Sequence, residues 1–303
     1  MNKKISMTCV IIGYNTAKPL AELLFSINQQ NYNNDDVEII YVDDGSSDDS
    51  LDLFNEYNLK YSKKSIGLPK NKGRMFARKE GVRGAKGKWC LFLNSSIVLH
   101  PNLFTEYFKI IHSHAFKGYV GSVSYRSDDQ IFESYLNHLS RGINGLAHLE
   151  VVPYYNILFS NCLIRLDVLK NIKWNTDMKQ YGGEELFFAF LIYMQHPDSF
   201  RVCKNALVYR NNHPSFTEHC IRMSIFGNKY FKKLNLDLQL QIIKYKWALC
   251  SFPGSFICFK QIMKLSPIFY KTKNIKFRFI MIKIGLWASI LYGYHASNRF
   301  KSS

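Results

Sequence analysis

Two adjacent aspartates, Asp43 and Asp44, stand where a run of β-forming residues, 37–42, gives way to glycine and hydroxyls in VEIIYVDDGSSDDS. A buried strand running out into a polar loop would place both carboxylates at its end, and ligands of parallel α/β sheets sit beyond the carboxyl ends of strands. Paired carboxylates there can accept hydrogen bonds from a base N–H and from ribose hydroxyls. The same residues also suit a solvated strand-to-helix turn, with Ser46, Ser47 or Asp48 capping a helix over 51–57. A second acidic pair, Glu184-Glu185, opens a helical pattern over 184–194, where acids favour the helix N-terminus in any case. His213, in NNHPSFTEH, could act as a neutral ligand or a charged donor, though a loop histidine is more often a surface residue. His112 and His114 are two apart on a helical pattern, do not face one another, and earn no role.

The elements that must position these groups alternate. Residues 7–12 are an apolar run closed by Gly13-Tyr14-Asn15, and Pro19 sits near the start of a helix through about 28. The strand at 37–42 and helix at 51–57 continue a βαβ-like order, which implies parallel strands with right-handed crossovers. A short strand over 59–62, a loop over 67–73 and a helix over 74–83 follow, then a buried strand WCLFL at 89–93 ending in Asn94-Ser95-Ser96. A helix to about 114 and strands near 119–125, 159–164 and 201–209 come next, while 126–157 carries no assignable pattern. Residues 234–240 alternate like a strand, but their lysine-rich continuation reads as helix, so the segment stays ambiguous.

Charge separates the chain into two parts. Residues 221–303 hold 15 Lys and Arg against one acid, Asp237, a net +14, whereas the first 220 hold 25 against 22. A nearly neutral body with a basic, aromatic tail implies an anionic partner for the tail. Seven scattered cysteines without a CxxC pair argue against a disulfide framework or a zinc site and suit a reducing cytosol. Lys3, Lys4 and the run after them superficially mimic a signal peptide, but the run is short and cut by Gly13, so it reads as the first strand. The sixteen mostly apolar residues 279–294 fall short of the ~20 a spanning helix needs and are read as an interfacial helix, with core packing as the alternative.

Taken together, these pieces resemble the family 2 glycosyltransferases, enzymes of GT-A fold that use nucleotide-sugar donors. The residues that carry the resemblance are Val10-Ile11-Ile12-Gly13-Tyr14-Asn15, then Val42-Asp43-Asp44-Gly45-Ser46-Ser47-Asp48, then Asn71-x-Gly73-x-x-x-Ala77-Arg78-x-x-Gly81. Asn94-Ser95-Ser96 and Tyr181-Gly182-Gly183-Glu184-Glu185 complete the order. The match is close over about 7–115, thinner to about 215 and absent beyond. It implies a GT-A-type mixed, mostly parallel sheet flanked by helices over 1–215, while the residues beyond the match, 216–303, read as a mainly helical basic extension. It also implies that Tyr14 and Asn15 line the nucleotide site, that Asp44 contacts the base with Asp43 as the alternative, and that Arg78 lies at the nucleotide pocket. Lys79 replaces the asparagine that usually follows that arginine.

The chief departure is at Asn94-Ser95-Ser96, where the family places Asp-x-Asp, the first acid near the ribose and the last on a divalent metal. Mg²⁺ and Mn²⁺ favour anionic oxygen ligands, so an amide and two hydroxyls lower metal affinity. Three arrangements stay open: a metal held chiefly by the diphosphate with Asn94 or Ser96 assisting, with or without His213; a diphosphate stabilised by Lys70, Lys72, Arg74 and Arg78; or a fold that has lost catalysis. The resemblance places the general base at Glu185, with Glu184 positioning the acceptor or a neighbouring cation. The expectation is an inverting transfer of a sugar from a nucleotide-diphosphate donor to a hydroxyl of a growing cell-surface glycan, on a free or lipid-linked acceptor. The rival is a non-catalytic binding or scaffold protein. A cytoplasmic place on the inner face of an anionic membrane is expected for the basic tail, and no nucleic-acid-binding motif accompanies the charge.

Overall fold

The structure, a computed structural model, describes residues 5–32, 35–174, 176, 183–250 and 254–299. Lys3, Lys4, Tyr181 and Gly182, all used in reading the sequence, lie outside the described residues. In chain order the elements are β1 (Met7–Gly13), α1 (Ala17–Asn28), β2 (Val37–Asp43), α2 (Ser50–Glu56), β3 (Ser62–Gly67), α3 (Arg74–Gly84) and β4 (Trp89–Asn94). Then come β5 (Val98–Leu99), α4 (Leu103–Ser113), β6 (Gly118–Tyr125), α5 (Gln130–Leu136), β7 (Asn161–Arg165), α6 (Leu166–Asn171), α7 (Glu184–Gln195) and β8 (Phe200–Arg210). The last four helices are α8 (Phe216–Lys229), α9 (Leu236–Ile243), α10 (Ser255–Phe269) and α11 (Ile275–Arg299). The chain divides into two compact units, 1–126 with 137–179 and 188–211, and 127–136 with 180–187 and 212–303. The division is not a single cut at 215, because the second unit also takes in two short segments from earlier in the chain.

In the first unit an eight-stranded mixed sheet runs β3-β2-β1-β4-β7-β6-β8-β5. The first four in that order are mutually parallel, β6 also pairs parallel with β8, and the other pairings are antiparallel. β1 and β2 are buried at every residue, so their sequences read as continuous apolar runs rather than as alternation. The period of two survives inside the core. Cys9, Ile11, Ile39 and Tyr41 join the layer of α1, α2 and α4, whereas Val10, Ile12, Ile40 and Val42 join the layer of α3 and α6. Each such fully buried aliphatic contributes about 1.5–3 kcal/mol, so a one-residue slip of either strand is strongly disfavoured.

β3 corrects the strand expected at 59–62. It is an edge strand of sequence SKKSIG, half-exposed or exposed throughout, and carries none of the apolar signal that reveals a buried strand. Lys63 instead donates to the carbonyls of Phe54, Asn55 and Tyr57 at the end of α2, at 3.0, 2.6 and 2.6 Å. That is where a cation satisfies orphan carbonyls and meets the negative end of the helix dipole. Further along, Asn161 lies wholly buried beside the register shift between β6 and β8. Its amide donates to the carbonyls of Ser122 and Ala206, both at 2.9 Å, and accepts from the Tyr107 hydroxyl at 2.8 Å.

The second unit is helical. Ser215 and Glu218 form a capping box at the start of α8. Asp129 accepts from the N–H groups of Phe132 and Phe216, each at 3.0 Å, and from the Tyr270 hydroxyl at 2.7 Å, tying α5, α8 and the end of α10 to one carboxylate. α8 and α11 approach backbone to backbone. A Cβ on Gly227 would strike the Ile290 carbonyl, and one on Gly293 would strike that of Ser224. The ambiguous segment near 234–240 is the helix α9, started by the Asn235 side chain accepting from Leu238 N–H at 2.9 Å.

Over much of 279–294 the core-packing alternative describes this arrangement, with Ile280, Lys283 and Ile284 left exposed. Ile282, Ala288, Ile290 and Leu291 are buried within the unit, and Gly285 lies against Ser266 and Phe216. Many of the tail's aromatic side chains are likewise internal: Phe259 stacks on His295 at 5.4 Å and meets Trp287 edge-on at 5.5 Å. No described helix is long and apolar enough to cross a membrane.

Candidate active site

The carboxyl ends of β1, β2 and β4 lie side by side, Gly13 opposite Asp43 and Ile12 opposite Asn94. The loops that follow β1 and β2 are joined by side chains. Asn15 N–H donates to Ser46 Oγ at 2.9 Å, Thr16 N–H to Ser50 Oγ at 2.9 Å, and Ala17 N–H to Asp48 Oδ2 at 3.0 Å. In return Asn15 Oδ1 accepts from Ser47 N–H at 2.8 Å. The polar cluster after Gly45 therefore caps α1, the preceding helix, as well as turning the chain into α2. The expected cap on the following helix by Ser46, Ser47 or Asp48 is corrected: Asp49 holds that N-cap and makes no side-chain cap there, although Asp48 does accept from Ser50 N–H at 3.1 Å. Asn15 adopts a left-handed φ of 51° and spends its side chain on this joint, while Tyr14 beside it is 48% exposed.

The two aspartates are both buried and differ in what holds them. Asp43 Oδ1 accepts from Ser46 Oγ at 2.5 Å and Tyr41 Oη at 3.3 Å, and Oδ2 from Ser46 N–H at 2.8 Å, so its carboxylate closes its own turn. Asp44 Oδ1 accepts from Lys72 N–H at 2.7 Å and Oδ2 from Gly73 N–H at 2.9 Å, the residues that lead into α3. A carboxylate offers about four lone-pair directions, so each Asp44 oxygen retains acceptor capacity. Burial raises the Asp44 pKa above the ordinary aspartate value, the Lys72 and Gly73 N–H groups oppose the shift, and the charge of Asp43 adds to it. Gly45, at φ 74°, presses against the backbone of Lys70 and Asn71, and no Cβ fits there. Lys70 is exposed and Lys72 half-exposed on this same loop.

Arg78 has no exposed surface, so its face of α3 is turned inward. Its Nη2 donates to Asn94 Oδ1 at 3.2 Å and its guanidinium lies 5.5 Å from the Phe159 ring. The structure thus brings Asn94 and Arg78 together beneath the strand ends. Ser95 is buried, with its N–H bonded to Ile12 O at 3.1 Å, and Ser96 brings only a hydroxyl. Among the described residues no group of three or more His, Cys, Asp or Glu could hold a metal ion. With the Asn94 oxygen turned to a guanidinium and no carboxylate in the triplet, the donor set does not fit a protein-held divalent metal.

Glu184, Glu185 and His213 belong to the second unit. Gly183, at φ 79° with its Cα against the Phe226 ring, accepts from Phe187 N–H at 2.9 Å and opens α7. Both acids therefore sit in the first helical turn, Glu184 buried and Glu185 half-exposed. His213 is buried rather than a surface residue. Its Nδ1 lies 2.9 Å from Pro214 O, and its ring is 5.7 Å from Phe132 and 5.5 Å from His219. A carbonyl only accepts, so Nδ1 carries a proton in this contact. Asp129, which organises three helices around this histidine's neighbours, gave no signal in the sequence because two of its three partners, Phe216 and Tyr270, are distant in the chain.

Known proteins resemble this chain in sequence family and in fold. The sequence profile described as Glycosyl transferase family 2 matches residues 8–172. Among curated proteins, a poly(ribitol-phosphate) beta-glucosyltransferase of Bacillus spizizenii is 38% identical over 93 residues, 30% of this chain and 15% of that protein. The matched stretches span between 15% and 50% of the length of the first curated relatives. Among solved structures, S. aureus TarS 1–349 in complex with UDP superposes with a TM-score of 0.60 at 15% identity, covering 98% of this chain and 91% of that one. The mannosyltransferase PcManGT from Pyrobaculum calidifontis, in complex with GDP-Man and Mn²⁺, gives a TM-score of 0.62 at 14% identity, covering 100% and 89%. At such identities the likeness establishes the fold, and it is of the GT-A type.

Proposed function

The chain belongs to glycosyl transferase family 2, and on that premise we propose that it is an inverting glycosyltransferase using a nucleotide-diphosphate sugar. The observation that carries this reading is the buried Asp44 carboxylate, held by Lys72 and Gly73 N–H with acceptor capacity left over. It suits a base with a ring N–H, which uracil and guanine both possess. Asp43, closed on its own turn, supports the site, as does Asn15, and Tyr14 offers an exposed ring to the nucleotide. Arg78 holds Asn94 at the floor of the nucleotide site.

Glu185 takes the proton of the acceptor hydroxyl, Glu184 positions it, and the hydroxyl attacks the anomeric carbon on the face opposite the diphosphate. One C–O bond forms as the bond to the diphosphate breaks, so the anomeric configuration inverts. The departing charge is met by the cations of the loop into α3, Lys70, Lys72 and Arg74, with no step assigned to Ser96 or His213. The acceptor is a hydroxyl of a growing cell-surface glycan, and relatives named for poly(ribitol-phosphate) make a phosphate-bearing polymer the first to try. The basic second unit brings the enzyme to an anionic membrane surface carrying lipid-linked acceptor.

The test is a panel of nucleotide sugars with and without Mn²⁺, read by thermal shift and by slow donor hydrolysis. One donor should bind and be hydrolysed, and Glu185→Gln should keep the binding and lose the hydrolysis. The reading fails if no nucleotide sugar binds and Glu185→Gln changes nothing. The Asn94-Ser95-Ser96 triplet favours a second reading, a non-catalytic glycan-binding relative, which predicts binding without turnover on any acceptor, including lipid-linked glycans.

A further inference from the structure

We propose that α10 and the first turns of α11 form a lipid-inserting element for an anionic bilayer, an inference that rests on the reading of the basic unit as the part meeting a membrane. α10 exposes Ile257, Leu265, Ile268 and Phe269, spaced so that they share one face of the helix. α11 exposes Ile275, Phe277, Ile280 and Ile284 before its later residues turn inward. These eight are a large share of the exposed large apolar side chains among the described residues, concentrated on two helices that pack on each other. Scattered singly they would mean nothing; gathered on a helical hairpin they mark a surface that something apolar covers.

Charge says what covers it. Lys264, Lys271, Lys273, Lys276 and Lys283 are exposed among these apolar residues. No acid occurs anywhere in 238–303. A second copy of the same face would bring like charges together. A nucleic acid or a hydrated polyanion would answer the lysines and leave eight apolar side chains in water. An anionic bilayer answers both, with headgroups for the lysines and the acyl boundary for the isoleucines and phenylalanines, which is how an interfacial amphipathic helix binds. The element overlaps the start of the apolar stretch 279–294, whose later residues are core.

The experiment is co-sedimentation of the full chain with vesicles of phosphatidylcholine alone and of phosphatidylcholine with phosphatidylglycerol. Wild type should bind only the second. The variant Ile268→Ser/Phe269→Ser/Phe277→Ser should bind at least about tenfold more weakly, with its nucleotide-induced thermal shift unchanged as evidence of folding. Phe277→Trp should bind and be quenched by brominated acyl chains. If the triple variant binds like wild type, or Phe277→Trp is not quenched, charge alone holds the protein and the inserting element is refuted while the broader reading stands. If wild type ignores phosphatidylglycerol, both fall. If wild type is a dimer in lipid-free solution and the triple variant a monomer, the face is a self-association surface and the inference is overturned.

Discussion

The Asn94 amide oxygen accepts a hydrogen bond from Arg78 at 3.2 Å, and the guanidinium that donates it is wholly buried. An amide orients an arginine without cancelling its charge, as a carboxylate in the same place would. The two residues sit sixteen positions apart, one on a helix and one at a strand end, and their pairing accounts for what a neutral residue does at the first position of Asp-x-Asp.

The nucleotide site should therefore be indifferent to metal removal. Wild-type donor binding and slow hydrolysis are expected to change by less than about threefold on addition of a chelator, since amide and hydroxyl donors hold Mg²⁺ and Mn²⁺ poorly. Asn94→Asp combined with Ser96→Asp should create a Mn²⁺ response. Calorimetry of donor binding with and without Mn²⁺ checks both, and a chelator that abolished wild-type binding would refute the first.

Arg78→Lys keeps a charge but loses the planar fork that meets Asn94. Loss of one hydrogen bond to a charged group costs about 1.5–3 kcal/mol, so donor affinity should fall on the order of tenfold or more. Arg78→Met should unfold at lower temperature as well, because Asn94 would lose its donor. Donor titration beside thermal denaturation separates the two effects.

Asp44 gives a pH prediction with a definite sign. Its folded-state pKa is raised, chiefly by burial, so its contribution to stability is fully present below the unfolded value and is lost as pH rises through the folded value. Wild type should therefore gain stability relative to Asp44→Asn as pH falls through the carboxylate range. Nucleotide affinity should run the other way, since the base N–H needs an ionised acceptor, and should begin to fall at a higher pH than for an ordinary aspartate. A difference in melting temperature that stayed flat from neutral pH to the acid side would count against this.

Asn161→Leu should be destabilising despite its apolar surroundings. It takes the amide donor from the Ser122 and Ala206 carbonyls and leaves the Tyr107 hydroxyl only the residue-161 carbonyl at 3.3 Å, and a buried group left unpaired costs about 1–3 kcal/mol. Urea unfolding would show the loss as a lower midpoint with an unchanged slope.

The sequence made the first unit readable because β1, β2 and β4 are short apolar runs closed by Gly13, Asp43 and Asn94, and Tyr14, Asn15, Asp43, Asp44 and Asn94 stand at or just past such closures. β3 escaped because an edge strand needs no apolar face, and Lys63 there answers helix carbonyls rather than a core. Burial of Arg78 also escaped, since a charged residue in a helix carries no sign of where its face points. In the second unit the long apolar stretch drew attention to 279–294, yet its glycines Gly285 and Gly293 are the trace of close helix packing. The exposed apolar residues interleave with lysines, and composition alone cannot tell such a pattern from an ordinary amphipathic core helix.

The joint between the loops after β1 and β2 has a thermodynamic consequence. Asn15, Thr16 and Ala17 already have their N–H groups satisfied by Ser46, Ser50 and Asp48 without any ligand. A donor entering there meets loops that are ordered beforehand, so little chain entropy is lost at the moment of binding. The heat-capacity change should then be small, without the large negative value that marks coupled folding. Amide exchange at 15–17 should be nearly the same with and without nucleotide.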